Sequence, residues 1–187
     1  MHNIGVNMLY SYEQCLEKYK SYYQIKKALQ AKEIFFLEKG VYSDKESEPE
    51  FTIILMKYPN AVATLNTAFY YYGLSKRVPD KYYLATERGT SGIRDSRVAQ
   101  IFENSGKLRL GEVKAEYRGC SFRIYDKERM LVELLRHKNQ LPFDYYKEVL
   151  LNYRQIIHGL DVPRIYDYIC ELPKYKMIKN AFRLEVL

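Results

Sequence analysis

An α+β fold in two parts is what the sequence predicts: an N-terminal winged helix-turn-helix domain over residues 1–48, then a larger α+β domain over residues 49–187 with its strands first and its helices last. Three observations carry this. Two short helical stripes follow one another between Ser11 and Lys32. The period then changes to an aromatic and β-branched run, "IFFLEKGVY", with a glycine near its middle. Beyond a polar stretch, "SDKESEPE", strand-like segments give way to long amphipathic ones.

Ser11 is placed to cap the first helix, in which Tyr12, Cys15, Leu16 and Tyr19 recur at i, i+3, i+4 and i+7 and make one apolar stripe. "KYKS" interrupts it. Ser21 is a second cap, and Tyr22, Ile25, Ala28 and Leu29 form the next stripe, with Tyr23, Lys26, Lys27 and Gln30 on the opposite side. In "IFFLEKGVY" the glycine turn separates two short strands and puts Lys39 at the tip. Helix, turn, helix and hairpin together predict the winged helix.

Residues 43–50 are polar, charged and proline-containing, and read as a linker. Downstream, "FTIILMKY" ends at Pro59 and suits a helix or a buried strand. "NAVAT" is a short strand, "LNTAFYYYGL" a helix closed by Gly73, and "KYYLAT" a strand. "EVKAEYRGCSFRIY" reads as a hairpin turning at Arg118-Gly119. Asp126 caps a helix with Leu131, Leu134, Leu135 and Lys138 on one side. "FDYYKEVLLNYRQI", "VPRIYDYICEL" and a segment after Pro173 follow as helices.

The composition, 47% apolar and 28% charged over 187 residues, is that of a globular chain. Its 20 tyrosines, with no tryptophan, serve cores and contact surfaces equally well. Cys15, Cys120 and Cys170 lie far apart with no C-x-x-C pairing, which excludes a disulfide framework or a zinc site by spacing. His2, His137 and His158 are scattered, so neither a metal nor another cofactor is expected. No signal-like start and no apolar run of about 18 residues is present, so a cytoplasmic protein without a membrane partner is expected.

The formal net charge of +7 favours an acidic partner. Its distribution is uneven. Residues 1–48 hold seven lysines and seven acids, whereas residues 49–187 hold 23 basic and 16 acidic side chains and so the whole excess. An N-terminal DNA site therefore rests on local placement. A reading helix needs small or polar residues at its start and cations toward the flanking phosphates. "SYYQIKK" has both: Ser21 at the cap, Gln24 with an amide that matches adenine, and Tyr23 to reach a phosphate or base edge. Lys20, Lys26, Lys27 and Lys32 fall in 13 residues free of acids, and Lys39 sits where a wing meets the adjacent groove. The plainer reading of Lys26 and Lys27 is a solvated helix face.

A catalytic set is missing. The loop "RGTSGIRDSR" lacks the phosphate-cradling G-x-x-x-x-G-K-[ST], a nucleophile elbow and the paired carboxylates that would hold magnesium. A non-enzymatic protein is expected. Every arginine lies beyond residue 76, and Arg77, Arg88, Arg94 and Arg97 fall in a basic stretch, residues 76–109, with only four acids. Arginine suits bidentate capture of phosphate or carboxylate. The alternative function is thus an interaction or RNA-binding module working through this second surface for an acidic partner.

"SYYQIKKALQAKEIFFLEKGVY" resembles the N-terminal winged helix of the AbiEi-type antitoxins of bacterial abortive-infection, type IV toxin–antitoxin systems, where a short helix leads to strands ending in Gly-Val-Tyr, here Gly40, Val41 and Tyr42. "YPNAVATLNTAFYYYGL" and "FRIYDKERMLVELLR" are similar to later blocks of that family, though Met130 and Glu133 stand where Thr and Asp are usual. The likeness implies a phage-defence antitoxin that binds inverted repeats in its own promoter as a transcriptional repressor. It also implies a functional partner, a nucleotidyltransferase-like toxin, counteracted without a stable complex. Carried over, the DNA role falls on Ser21, Tyr23, Gln24, Lys26, Lys27 and Lys39. Only "MHNIGVNMLY" precedes the two helices, where the family has a full helix, so a truncated or absent first helix is expected.

Overall fold

The computed structural model describes residues 9–187. It forms two compact units: Met1–Pro59 with Ala115–Phe122, and Asn60–Lys114 with Arg123–Leu187. The expected truncation of a first helix falls mainly on residues 1–8, which lie outside the described residues.

The described part of the first unit begins with a strand that the sequence did not announce, β1 (Leu9–Ser11). Three residues are too few to show a period. Ser11 then opens α1 (Tyr12–Tyr19) with a reciprocal cap: its Oγ accepts from Gln14 N at 3.2 Å while Gln14 Oε1 accepts from Ser11 N at 2.7 Å. Lys20, left-handed at φ 66°, ends α1, and Ser21 Oγ accepts from Gln24 N at 3.3 Å to start α2 (Tyr22–Gln30). Strands β2 (Phe35–Glu38) and β3 (Val41–Ser43) follow, reversing at Lys39-Gly40, where Gly40 has φ 82°. β3 is the middle strand, antiparallel to β1 and β2.

Cys15, Ile25, Ala28, Ile34 and Tyr42 make the small core of this unit, with Tyr10, Leu16, Tyr19 and Leu29 packed around it. The helical stripes therefore hold, except at their first members. Tyr12 and Tyr22 are 39% and 55% exposed. Each stands at the first helical position, where a side chain leans back toward the N-terminus and past the core. The open choice for "FTIILMKY" falls to helix: α3 (Glu50–Lys57) follows Pro49 at its cap and stops short of Pro59. Its buried Phe51 packs edge-on against Tyr117 and Phe122, at 5.3 and 5.5 Å between ring centroids.

The larger sheet has five strands, β4 (Val62–Ala63), β5 (Tyr82–Glu87), β6 (Val98–Glu103), β7 (Glu112–Tyr117) and β8 (Cys120–Tyr125), in the order β6-β5-β4-β8-β7, and the second unit holds all of it but Ala115–Phe122. The expected succession of strands first and helices last is corrected here. α4 (Leu65–Tyr71) stands between β4 and β5, because β5 pairs antiparallel with β4 and the chain has to turn back between them. Thr67 Oγ1, on that helix, accepts from Tyr83 N at 2.7 Å. The hairpin β7–β8 turns as expected at Arg118 and Gly119, both with positive φ, 49° and 83°, as primed turns require. β6 was not anticipated; its alternation is weak, and its parallel pairing with β5 is a long-range choice.

After β8 come α5 (Lys127–Arg136), α6 (Phe143–Ile156), α7 (Val162–Glu171) and α8 (Tyr175–Ala181). Asp126 caps α5 as expected, accepting from Arg129 N at 2.7 Å. One-sided burial of α5 is not what the structure has: every residue from Arg129 to His137 is buried. The polar ones tolerate this by pairing with one another. Arg129 reaches Glu133 at 2.8 Å and Glu103 at 3.0 Å; Arg136 reaches Glu103 at 2.6 Å and Glu133 at 3.2 Å. Among the described residues, no helix is long and apolar enough to cross a membrane.

Burial alone would raise the Glu133 carboxyl, but a hydrogen bond from His137 and the charges of Arg129 and Arg136 hold it down at about 2. A carboxylate lowered in the folded state contributes stability that is present above its unfolded value and is lost as pH falls toward the folded one. Unfolding free energy is thus expected to fall between about pH 5 and pH 2. Glu133→Gln should cost about 3–5 kcal/mol at pH 7, by leaving Glu103 as the one carboxylate for two buried arginines, and should flatten that acid limb. Denaturant titrations across this pH range check both; an unchanged acid limb in the variant would contradict the assignment.

Candidate nucleic-acid interface

Seven of the eight N-terminal residues singled out by the sequence lie on or around α2 or at the adjoining turns. Ile25 and Ala28 fasten the helix to the core, so the side that remains presents Tyr22, Tyr23, Gln24, Lys26, Lys27 and Gln30 to solvent. Tyr23 is 73% exposed. The first turn carries no acid, and the helix has none along its length. Lys26 Nζ lies 5.1 Å from the centroid of the Tyr22 ring one turn earlier, which steadies a long side chain over a flat one.

Ser21 has a double use. Its Oγ is taken as acceptor by Gln24 N, which holds the first turn of α2 in shape, and its hydroxyl proton remains to donate. The Gln24 side-chain amide makes no hydrogen bond with any described residue. A carboxamide at the third position of a helix, with donor and acceptor both open, is the arrangement that pairs with an adenine edge. Lys20 and Lys32 bracket α2 from left-handed backbone positions, φ 66° and 57°, and both are exposed. Lys39 stands apart, exposed on the turn between β2 and β3.

Two features escaped the sequence reading. Tyr22, assigned there to the core, belongs to the exposed set. Lys18 was not singled out; its Nζ donates to Tyr10 Oη at 3.0 Å, a bond that raises the ammonium above its usual value, and lies over the Tyr10 ring at 4.5 Å. It braces β1 against α1. No spacing rule joins residues eight apart on a strand and a helix.

The four arginines that the sequence singled out, Arg77, Arg88, Arg94 and Arg97, divide into pairs. Arg77 bonds Asp144 at 2.8 Å and Glu148 at 3.0 Å, and Arg97 grips both carboxylate oxygens of Asp95, at 2.9 and 2.7 Å. Arg88 and Arg94 are exposed and form no ion pair with any described residue. Among the described residues, no three or more His, Cys, Asp or Glu side chains converge where a metal ion could sit.

The left-handed turn at Lys20 sets the direction in which α2 leaves α1. Glycine takes this conformation without the steric cost borne by lysine, so Lys20→Gly should raise stability by about 0.5–1 kcal/mol. A chemical denaturation midpoint checks it, and a drop in stability would show that the lysine side chain is needed in the fold. No protein-family model matches the chain, and no curated protein matches it.

Proposed function

We propose that the chain is a DNA-binding repressor of its own operon and the antitoxin of a type IV, abortive-infection toxin–antitoxin system, acting in the cytoplasm and without catalysis. The observation that carries the DNA half is α2, a helix free of acids whose core-facing side is taken up by Ile25 and Ala28. Its open side holds Tyr23, Gln24, Lys26 and Lys27. The element order around it supports a winged helix: β1, α1, α2, β2, β3, with β1 paired to β3 and the β2–β3 turn carrying Lys39. In this reading the first turn of α2 enters the major groove, Gln24 faces a base, and Lys20, Lys26, Lys27, Lys32 and Lys39 meet phosphates. The target is double-stranded promoter DNA with inverted repeats. The antitoxin half falls to the second unit and is directed at a nucleotidyltransferase-like toxin without a stable complex; the resemblance of the sequence supports it.

The test is a titration of the protein against its own upstream promoter and a scrambled duplex at two salt concentrations. The promoter should be preferred. Lys26→Ala with Lys27→Ala should weaken binding to both duplexes and shallow the log–log salt slope by about 1.8, at about 0.9 for each phosphate no longer neutralised. Equal, feeble binding to both duplexes would move the working surface to Arg88 and Arg94 and to a partner other than DNA. Gln24→Ala should instead leave the slope alone and remove about 1–3 kcal/mol of discrimination at one base pair, read from a panel of single-base operator variants.

A further inference from the structure

We propose that the free edge of β6 is where a second copy of this chain pairs, antiparallel, so that two five-stranded sheets join into one. The inference concerns the second unit and stands whether or not α2 reads DNA.

Sheet edges are normally defended by charge, proline, a bulge or brevity. β7, at the far edge of the same sheet, carries Glu112, Lys114 and Glu116. In the first unit, β1 has three residues and β2 has four with a bulge between Phe36 and Glu38. β6 has no proline, bulge or brevity, and its one charge, Glu103, is buried at its end. It runs six residues in unbroken register with β5, and between Arg97 and Glu103 it holds only Val98, Ala99, Gln100, Ile101 and Phe102. Phe102 is 43% exposed.

The hydrogen-bond phase says what this edge offers. Tyr82 N donates to Arg97 O and Arg88 N to Glu103 O, both at 2.7 Å. In a parallel ladder the odd residues of β6 therefore face β5, and Val98, Gln100 and Phe102 point their backbone groups outward. Of these, the Val98 N–H already donates to Asp95 O at 3.0 Å. The Val98 carbonyl and both backbone groups of Gln100 and Phe102 remain without a partner among the described residues.

An antiparallel copy centred on Gln100 answers that pattern. Gln100 meets its own copy and the two exchange a pair of hydrogen bonds. Each Phe102 N–H then donates to the other copy's Val98 carbonyl. The same register sets Phe102 against Val98 and Ile101 against Ala99, large against small each time.

Sedimentation velocity of the full chain should show a monomer–dimer equilibrium. Phe102→Lys, at a residue paired with Thr86 whose own backbone groups point away from β5, should weaken it roughly tenfold or more with an unchanged circular dichroism spectrum, since two symmetric cross-strand pairs are removed. A second measurement fixes the register. In a Cys120→Ser, Cys170→Ser background, Gln100→Cys should cross-link with a short bis-maleimide, because the paired Cα atoms would be about 5.5 Å apart. Phe102→Cys should not, because four residues of offset at about 3.4 Å each separate the two positions. A wild-type chain that stays monomeric up to about 100 μM overturns the proposal. So does a dimer indifferent to Phe102→Lys, or a monomer whose β6 edge takes up an extended segment of another protein.

Discussion

A buried lattice of opposite charges decides how the second unit packs. Glu103 arrives from the end of β6, while Arg129, Glu133, Arg136 and His137 arrive from α5, and all five are nearly closed to water. Charges in such a place are tolerable only when each is paired and hydrogen-bonded. Arg129 shows how complete the pairing is: besides its two carboxylates it donates to Leu110 O at 3.0 Å and lies over the Tyr125 ring at 4.5 Å. Gly111 is bound to the same arrangement. It has φ 76°, and a Cβ there would come within 2.7 Å of Arg129 Cβ. The strand, the loop after it and the helix α5 therefore have one mutual placement that pairs each of these arginines and carboxylates, with Arg136 Nη1 left without a hydrogen bond. Such pairs add little net stability compared with apolar packing, and their effect is to penalise any other placement.

The first unit is organised on a different principle. Its core is small, and local devices do much of the work: the reciprocal cap at Ser11 and Gln14, the cap at Ser21, a left-handed Lys20 between the helices and Gly40 in the hairpin. The consequence for function is direct. With Ile25 and Ala28 buried on one side of α2, Tyr23, Gln24, Lys26 and Lys27 are left on the other, and nothing in the described chain neutralises them. Of the four arginines singled out in the second unit, Arg77 and Arg97 contrast with this, since Asp144, Glu148 and Asp95 already occupy them.

Much of this was legible in the residues alone. Both serine caps, the two short helices, the glycine-turned hairpin, the Arg118-Gly119 turn and the capping of α5 by Asp126 are all set within a few residues of chain. Local steric and hydrogen-bonding preferences suffice for such features. The exposed lysine and glutamine face of α2 follows from the same helical period. β1 and β6 were missed because a short or weakly alternating segment becomes a strand only when a partner lies beside it. Tyr22 was misplaced because spacing along a helix says which side a residue is on and not where the core ends.

The sequence by itself thus determined the elements whose causes are local, together with the polar side of α2. The tertiary structure alone decided the strand order β6-β5-β4-β8-β7, the burial of α5 on all sides and which arginines are already paired. The reason is physical. Pairing of distant strands and of buried charges is stabilised by contacts between residues far apart in the chain, and no window of sequence contains both partners.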